Sequence, residues 1–193
     1  MRLIAQGAEA KIYLEKNKII KERIEKKYRA KELDEFLRKT RTKKEVKLLS
    51  DLRRIGINVP RIIESNKYRI VMEFINGKRL KDLLDKSNFK EFCKEIGENV
   101  ATMHQADIIH GDLTTANIIV RDNILYFIDF GLAIETKNLE QKAADLLTLY
   151  QNFKSLYPEL DCWNYFLLGY KNEETEKILK VFDKMLKRRR YFK

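Results

Sequence analysis

The stretch Ile108–Ala133, IIHGDLTTANIIVRDNILYFIDFGLA, limits what this chain can fold into more than any other. It sets His110, Asp112, Asn117 and Asp129 between apolar segments. Burying an ionised carboxylate without a partner is strongly unfavourable. Groups placed this way must converge on one another, on cations or on a cleft. Ile108–Ile109 and Ile118–Val120 are short apolar segments flanking a polar loop, Asn123 seeds a turn, and Ile124–Ile128 has the makeup of a strand. Asp112 and Asn117 share the loop, and Asp129 follows the strand just ahead of Phe130-Gly131. Two carboxylates and a carboxamide in one cleft make an oxygen donor set that suits Mg2+, a cation that keeps waters and substrate phosphates in its shell. One carboxylate can also receive a hydroxyl proton. Such a group suits phosphoryl transfer, which needs mainly positioning and charge neutralisation.

The rest of the chain divides by pattern. RLIAQGAEAKIYLEKNKIIKERI, rich in β-branched and aromatic residues, broken at Gly7 and turning at Asn17, predicts short strands. A helical pattern runs from about Lys31 to Arg54, with Gly56 as its stop. VPRIIESNKYRIVMEFI predicts two strands joined at Ser65-Asn66-Lys67, and Asn76-Gly77 is a turn signal. Beyond it the pattern predicts a short helix over Leu80–Lys86, a longer one over Phe89–Gln105, and helices over Leu139–Phe153, Leu160–Tyr170 and Glu173–Arg190. Strands first and helices after point to an α+β fold, a single domain over 1–193 with a strand-rich lobe (1–76) and a helical lobe (77–193).

Composition narrows the surroundings. Hydrophobic residues make up 44% of the chain, enough for a core. No apolar run approaches the roughly 18–20 residues that span a bilayer, and no charged-then-apolar leader opens the chain. We therefore expect a cytoplasmic protein without a membrane partner. Cys93 and Cys162 are far apart in sequence, so neither a disulfide framework nor a four-ligand zinc site is expected, and Cys93 reads as a small buried apolar residue. The net charge of +11 is clustered over Lys21–Lys47 and Lys184–Lys193. It attracts polyanions such as nucleic acid, acidic membranes or an acidic partner.

His110-Gly111-Asp112-Leu113-Thr114-Thr115-Ala116-Asn117 resembles the catalytic loop of protein-kinase-like enzymes, and Asp129-Phe130-Gly131 resembles their magnesium-binding triplet. This resemblance implies ATP and Mg2+ as cofactors. It makes Asp112 the base or nucleophile-orienting group, and Asn117 and Asp129 the metal ligands. It casts Lys21, after Ile19-Ile20, as the lysine on the α/β-phosphates and Glu45 as its helix partner. Periodicity agrees, because Glu45, Leu48, Leu49 and Leu52 fall on one helix face. An acid on that inward stripe needs a cation, since leaving it unpaired costs about 3–5 kcal/mol. Gln6-Gly7-Ala8-Glu9-Ala10 stands where the glycine-rich phosphate loop belongs, with one glycine against the usual three. Met72-Glu73-Phe74-Ile75 falls at the hinge, where adenine binds the backbone. His110 would pack and hydrogen-bond the loop, and Asp145 resembles the helix aspartate that props it.

The match narrows further. Lys21-x-Arg23-x-x-Lys26-x-Tyr28-Arg29, Leu33-Asp34 and Arg38-x-x-Arg41-Thr42-x-x-Glu45, together with QGAEA and HGDLTTAN, resemble the small atypical kinases of the KEOPS complex, the PRPK-type family. That resemblance implies an atypical serine/threonine kinase or ATPase supporting threonylcarbamoyl-adenosine formation in tRNA. Its implied partners are the KEOPS threonylcarbamoyl-transferase subunit, a small subunit docking on the N-lobe, and tRNA through the basic surface and the tail Lys187–Lys193. The chain departs from larger kinases in three places. Ala-Pro-Glu and room for a long activation loop are missing after Gly131, Gly111 replaces the arginine that grips an activation-loop phosphate, and Thr114 replaces a phosphate-facing lysine. No activation-loop switch is therefore expected. Two other readings fit the residues: a non-catalytic nucleotide-binding scaffold that docks RNA and partner subunits, and a small-molecule kinase of the aminoglycoside or choline type.

Overall fold

Lys16 and Asn17 both adopt positive φ (42° and 64°), the conformation of a tight hairpin turn whose twist matches its strands. In the computed structural model, which describes residues 1–190, that turn joins β2 (Ala10–Glu15) to β3 (Lys18–Arg23), with Tyr13 opposite Ile20. With β1 (Arg2–Gln6), β4 (Ile62–Ser65) and β5 (Arg69–Glu73) they form an antiparallel sheet in the order β1-β2-β3-β5-β4. Lys21 lies opposite Ile70 of β5 and so stands mid-sheet. α1 (Lys31–Arg54) buries Leu48, Leu49 and Leu52 together with Glu45. It stops at Gly56, whose φ of 87° lets Ile57 return a backbone bond to Leu52.

The second half pairs two small sheets with four helices. β6 (Lys78–Arg79), β8 (Ile118–Arg121) and β9 (Ile124–Phe127) form one sheet, with Asp122-Asn123 closing the β8–β9 hairpin at positive φ. β7 (Ile108–Ile109) pairs with β10 (Ile134–Glu135). α2 (Phe89–Gln105), α3 (Leu139–Leu156), α4 (Cys162–Gly169) and α5 (Thr175–Arg190) complete the chain. One apolar core runs from Leu48, Leu49 and Leu52 of α1 through Phe127 and Phe130 to α2–α5, so the two halves share an interior. Cys93 and Cys162 are both free and buried in it.

The structure departs from the sequence reading in places. The short helix expected over Leu80–Lys86 is only a single 3-10 turn at Leu80–Asp82. The Asp85 carboxylate takes the Ser87 N–H (2.8 Å) and the Asn88 side chain takes the Asp85 N–H (3.0 Å), so side chains compete for the backbone that a helix would use. The two-residue strands β6 and β10 are too short to leave a pattern. Of the basic end Lys187–Lys193, Lys187 and Arg188 are exposed, and the side chains beyond lie outside the described residues. Among the described residues, no helix is long and apolar enough to cross a membrane.

α2 and α4 approach backbone to backbone at Gly97 and Gly169. A Cβ on Gly97 would overlap the Phe166 carbonyl oxygen, and one on Gly169 the Lys94 carbonyl oxygen. Alanine normally stabilises a helix interior relative to glycine by about 1 kcal/mol. Here overpacking wins, at roughly 1–3 kcal/mol. Gly97→Ala should lower the melting temperature by several degrees in a thermal scan; an unchanged or raised value contradicts the close crossing.

Candidate active site

Side chains alternate along a strand, so Lys21 and Arg23 point to the same face of β3. Both are buried, whereas Lys18 is exposed. The face looks onto α1, which brings Glu45, only 3% exposed, between the two cations. Lys21 Nζ donates to Glu45 Oε1 at 2.6 Å and to Asp129 Oδ1 at 2.8 Å, and Arg23 Nη2 donates to Glu45 Oε2 at 2.6 Å. Burial works to lower the Lys21 pKa, but the carboxylates of Glu45 and Asp129 outweigh it and hold the ammonium above the usual lysine value. Desolvation works to raise the Asp129 carboxyl, and the Lys21 ammonium outweighs it, keeping that group below the usual range.

Asp129 caps the strand end in a left-handed conformation (φ 62°, ψ 64°), uncommon for a residue with a side chain. Its side chain remains 58% exposed while Phe130 beside it is buried. A Cβ on Gly131 would come within 3.3 Å of Lys21 Nζ and 3.2 Å of Asp129 Oδ1, so the glycine gives the ion pair room.

The polar loop hangs from α3. Asp145 takes the backbone N–H of His110 (2.8 Å, Oδ2) and of Gly111 (2.9 Å, Oδ1), and lies 3.3 Å from His104 Nε2. Burial works to raise the Asp145 carboxyl, but the facing histidines and N–H donors bring it below the usual range. Burial holds the His110 imidazole below its usual pKa against the pull of Asp145. Its Nε2 sits 3.1 Å from the Ile128 carbonyl, to which it donates. Gly111 has φ 81°, and a Cβ there would overlap the Leu132 carbonyl oxygen. Steric room thus requires glycine at this position. Thr115 is fixed by Asn152, whose Oδ1 accepts from its N–H (3.0 Å) and hydroxyl (2.9 Å). Asn117 Nδ2 donates to the carbonyl and carboxylate oxygens of Asp112, each at 2.9 Å.

Lys21, Glu45, Asn117 and Asp129 line one cleft of about 360 Å³, with Met72, Glu73, Phe74 and Ile75 along another side and Ala5, Ile12 and Ile19 as apolar cover. Asp112 reaches it only through Asn117. Gln6, Gly7, Ala8 and Glu9 do not line it. Their turn is closed by Gly7 N–H on the Ala10 carbonyl (3.0 Å) and is fastened outward, Lys26 binding the Ala8 carbonyl and Arg41 the Glu9 carboxylate. Ala10 is buried at the start of β2. Asn117 and Asp129 offer a carboxamide and a carboxylate oxygen to one opening, a donor set that fits Mg2+.

Three contributors were given no individual role in the sequence reading. Arg23 was signalled by its spacing from Lys21, two residues along a strand. Lys142, fully buried, binds Asp107 (2.8 Å) and Glu174 (2.6 Å). It lies three residues before Asp145, hence on the same helix face. Arg121 of β8 reaches Glu73 of β5 at 3.1 Å, bridging the halves beside the cleft, and no local pattern announced it.

Replacing Asp145 with asparagine keeps one acceptor but turns an amide donor toward a backbone donor. Asp145→Asn should cost about 3 kcal/mol at pH 7 in urea denaturation. Because the folded carboxyl lies below its unfolded value, its stabilisation is complete above about pH 3.9 and is lost as pH falls through the folded value. The gap between wild type and variant should therefore hold from pH 8 to 5 and close below about pH 4. A gap that is constant into acid contradicts this role.

The model of the family described as the RIO domain matches residues 9–153. The chain is 43% identical over 195 residues to a probable bifunctional tRNA threonylcarbamoyladenosine biosynthesis protein of Methanosphaera stadtmanae, a match covering 96% of this chain and 36% of that protein. It is 44% identical over 172 residues to the KEOPS complex subunit Bud32 of Pyrococcus abyssi, covering 81% of this chain and 78% of the relative. The chain thus spans about a third of the bifunctional relative's length and most of the Bud32 subunit. Among solved structures, the Rio2 kinase of Chaetomium thermophilum, in an ADP/Mg2+-phosphoaspartate complex, shares the fold with a TM-score of 0.70 at 14% identity, over 100% of this chain and 72% of that one. A RIO-domain match over most of the chain, joined to this degree of identity with a Bud32 subunit, makes the chain a member of the RIO family, of the Bud32 type.

Proposed function

We propose that this chain is an ATP- and Mg2+-dependent phosphotransferase, an atypical serine/threonine kinase working largely as an ATPase. It serves threonylcarbamoyl-adenosine formation in tRNA, in the cytoplasm, as part of a KEOPS-type complex. Its partners in this reading are the threonylcarbamoyl-transferase subunit, a small subunit on the strand-rich half, and tRNA on the basic surface. The observation that carries the reading is the Lys21 ammonium, 2.6 Å from Glu45 and 2.8 Å from Asp129, at one cleft.

Each residue has a role in this proposal. Lys21 stays cationic and orients the α- and β-phosphates, while Glu45 fixes its direction. Met72–Ile75 offer backbone groups to the adenine edge under the cover of Ile12 and Ile19. Asn117 and Asp129 hold Mg2+, which supplies charge neutralisation on the phosphates when bound. Asp112, steadied by Asn117, accepts the acceptor's hydroxyl proton or aligns a water. The Gln6–Ala10 turn lies over the phosphates once its outward ties loosen. Those outward ties also favour a second reading, a nucleotide-binding scaffold that does not turn over.

Asp129 is mostly exposed, so its removal leaves the core intact. Asp129→Ala should lose MgATP turnover by about 100-fold or more while keeping its circular dichroism spectrum; wild-type turnover in that variant contradicts the metal assignment. Absence of turnover by the wild type, alone and with the transferase and tRNA, selects the scaffold instead.

A further inference from the structure

Glu45 carries a different cation on each carboxylate oxygen. Lys21 holds Oε1 and Arg23 holds Oε2, both at 2.6 Å, and all three side chains are buried. Both cations come from β3, two residues apart, so a single strand grips a single carboxylate of α1 from both sides. Their duties differ. Lys21 shares its ammonium with Asp129, whereas Glu45 is the acid that Arg23 binds among the described residues. Among the described residues the buried Arg23 Nε has no hydrogen-bond partner. The Nη2 bond to Glu45 fixes the position of the guanidinium.

We infer that Arg23 is a positioning residue that locks α1 onto β3 through Glu45, so that Glu45 keeps its direction while Lys21 also serves its phosphates. A lysine that must also serve phosphate cannot by itself satisfy both oxygens of a buried carboxylate. Were Lys21 its sole cation, Oε2 of the buried Glu45 would be left unpaired. The second cation removes that conflict. Beyond Leu132, the ion pair that reaches α1 among the described residues is Lys47–Glu135, both half-exposed, and surface pairs of that kind hold weakly. Residues 133–138, which separate the 3-10 turn at Phe130–Leu132 from α3, leave no room for a long bracing loop. The docked position of α1 is thus built into β3 and needs no modification to set it. For turnover, the inference rests on the phosphotransfer reading; for the docking of α1, it stands on the geometry alone.

The test is a double-mutant cycle with a second readout in nucleotide-free protein. Arg23→Met, Arg23→Lys, Glu45→Gln and Arg23→Met/Glu45→Gln are compared by kcat and KM for MgATP and by amide hydrogen exchange over residues 42–49. Arg23→Met should lower kcat on the order of tenfold and speed exchange over residues 42–49 beyond any change in α2. Arg23→Lys, which keeps the charge with a shorter reach and a milder effect on folding, should restore part of both. In the Glu45→Gln background, Arg23→Met should add little to either, because its effect runs through the glutamate. Additive losses, or unchanged exchange over residues 42–49, overturn the inference. A wild type without turnover defeats the phosphotransfer reading instead, and the exchange measurement still decides whether Arg23 locks the helix.

Discussion

Taking an ammonium out of water is expensive, and in this chain the cost is met by two carboxylates brought from distant parts of the sequence. Lys21 comes from a central strand, Glu45 from the helix that follows, and Asp129 from a strand end far along the chain. The buried Lys21 ammonium makes both of its bonds only where the sheet, α1 and the β9 end meet in one place. A buried ion pair contributes little net stability compared with well-packed apolar groups, but breaking one by removing a partner is strongly unfavourable. The cluster of Lys21, Arg23, Glu45 and Asp129 therefore acts chiefly as a specification: it admits one relative placement of these elements and penalises others. Its two positive and two negative charges balance.

The rest of the structure holds that placement steady. The apolar core is continuous from α1 to α5, so the cleft does not separate independently packed bodies. On the far side, α3 supplies a row of polar side chains at helical spacing. Lys142 ties down the chain ahead of β7 and the start of α5, Asp145 takes two backbone donors of the polar loop, and Asn152 takes two donors of Thr115. One rigid helix thus fixes the loop that carries Asp112 and Asn117 at three points. Placing the supporting contacts on a helix rather than on other loops gives the site its precision. The left-handed Asp129 adds local strain, a conformation that surrounding contacts must over-determine.

Much of this was legible from residue pattern alone. The inward face of α1 was readable because an acid recurs with leucines at helical spacing, and the demand for a cation at Glu45 follows from burial. Hairpin turns at Asn17 and Asn123 were readable because few side chains tolerate positive φ. What escaped depends on register or on distant partners. Lys21 was named from the Ile19-Ile20 ahead of it, but its place mid-sheet, with Lys18 at an exposed end, comes from the pairing of β3 with β5. The outward fastening of the Gln6–Ala10 turn depends on Arg41, a residue of α1, and no local signal reports it. The helix expected at Leu80–Lys86 failed because Asp85 and Asn88 bind the backbone locally. Gly111 was legible as a departure from an arginine, but its physical reason, the carbonyl of Leu132 against its α-carbon, required the fold.

The cleft's geometry is tested most directly by a crystal structure of the protein with Mg2+ and a non-hydrolysable ATP analogue. The triphosphate should lie within hydrogen-bonding distance of Lys21 Nζ, with a metal on the oxygens of Asp129 and Asn117 and the base against Met72–Ile75. A nucleotide bound elsewhere, or one bound in the cleft with Lys21 turned away and no metal on Asp129, would contradict it.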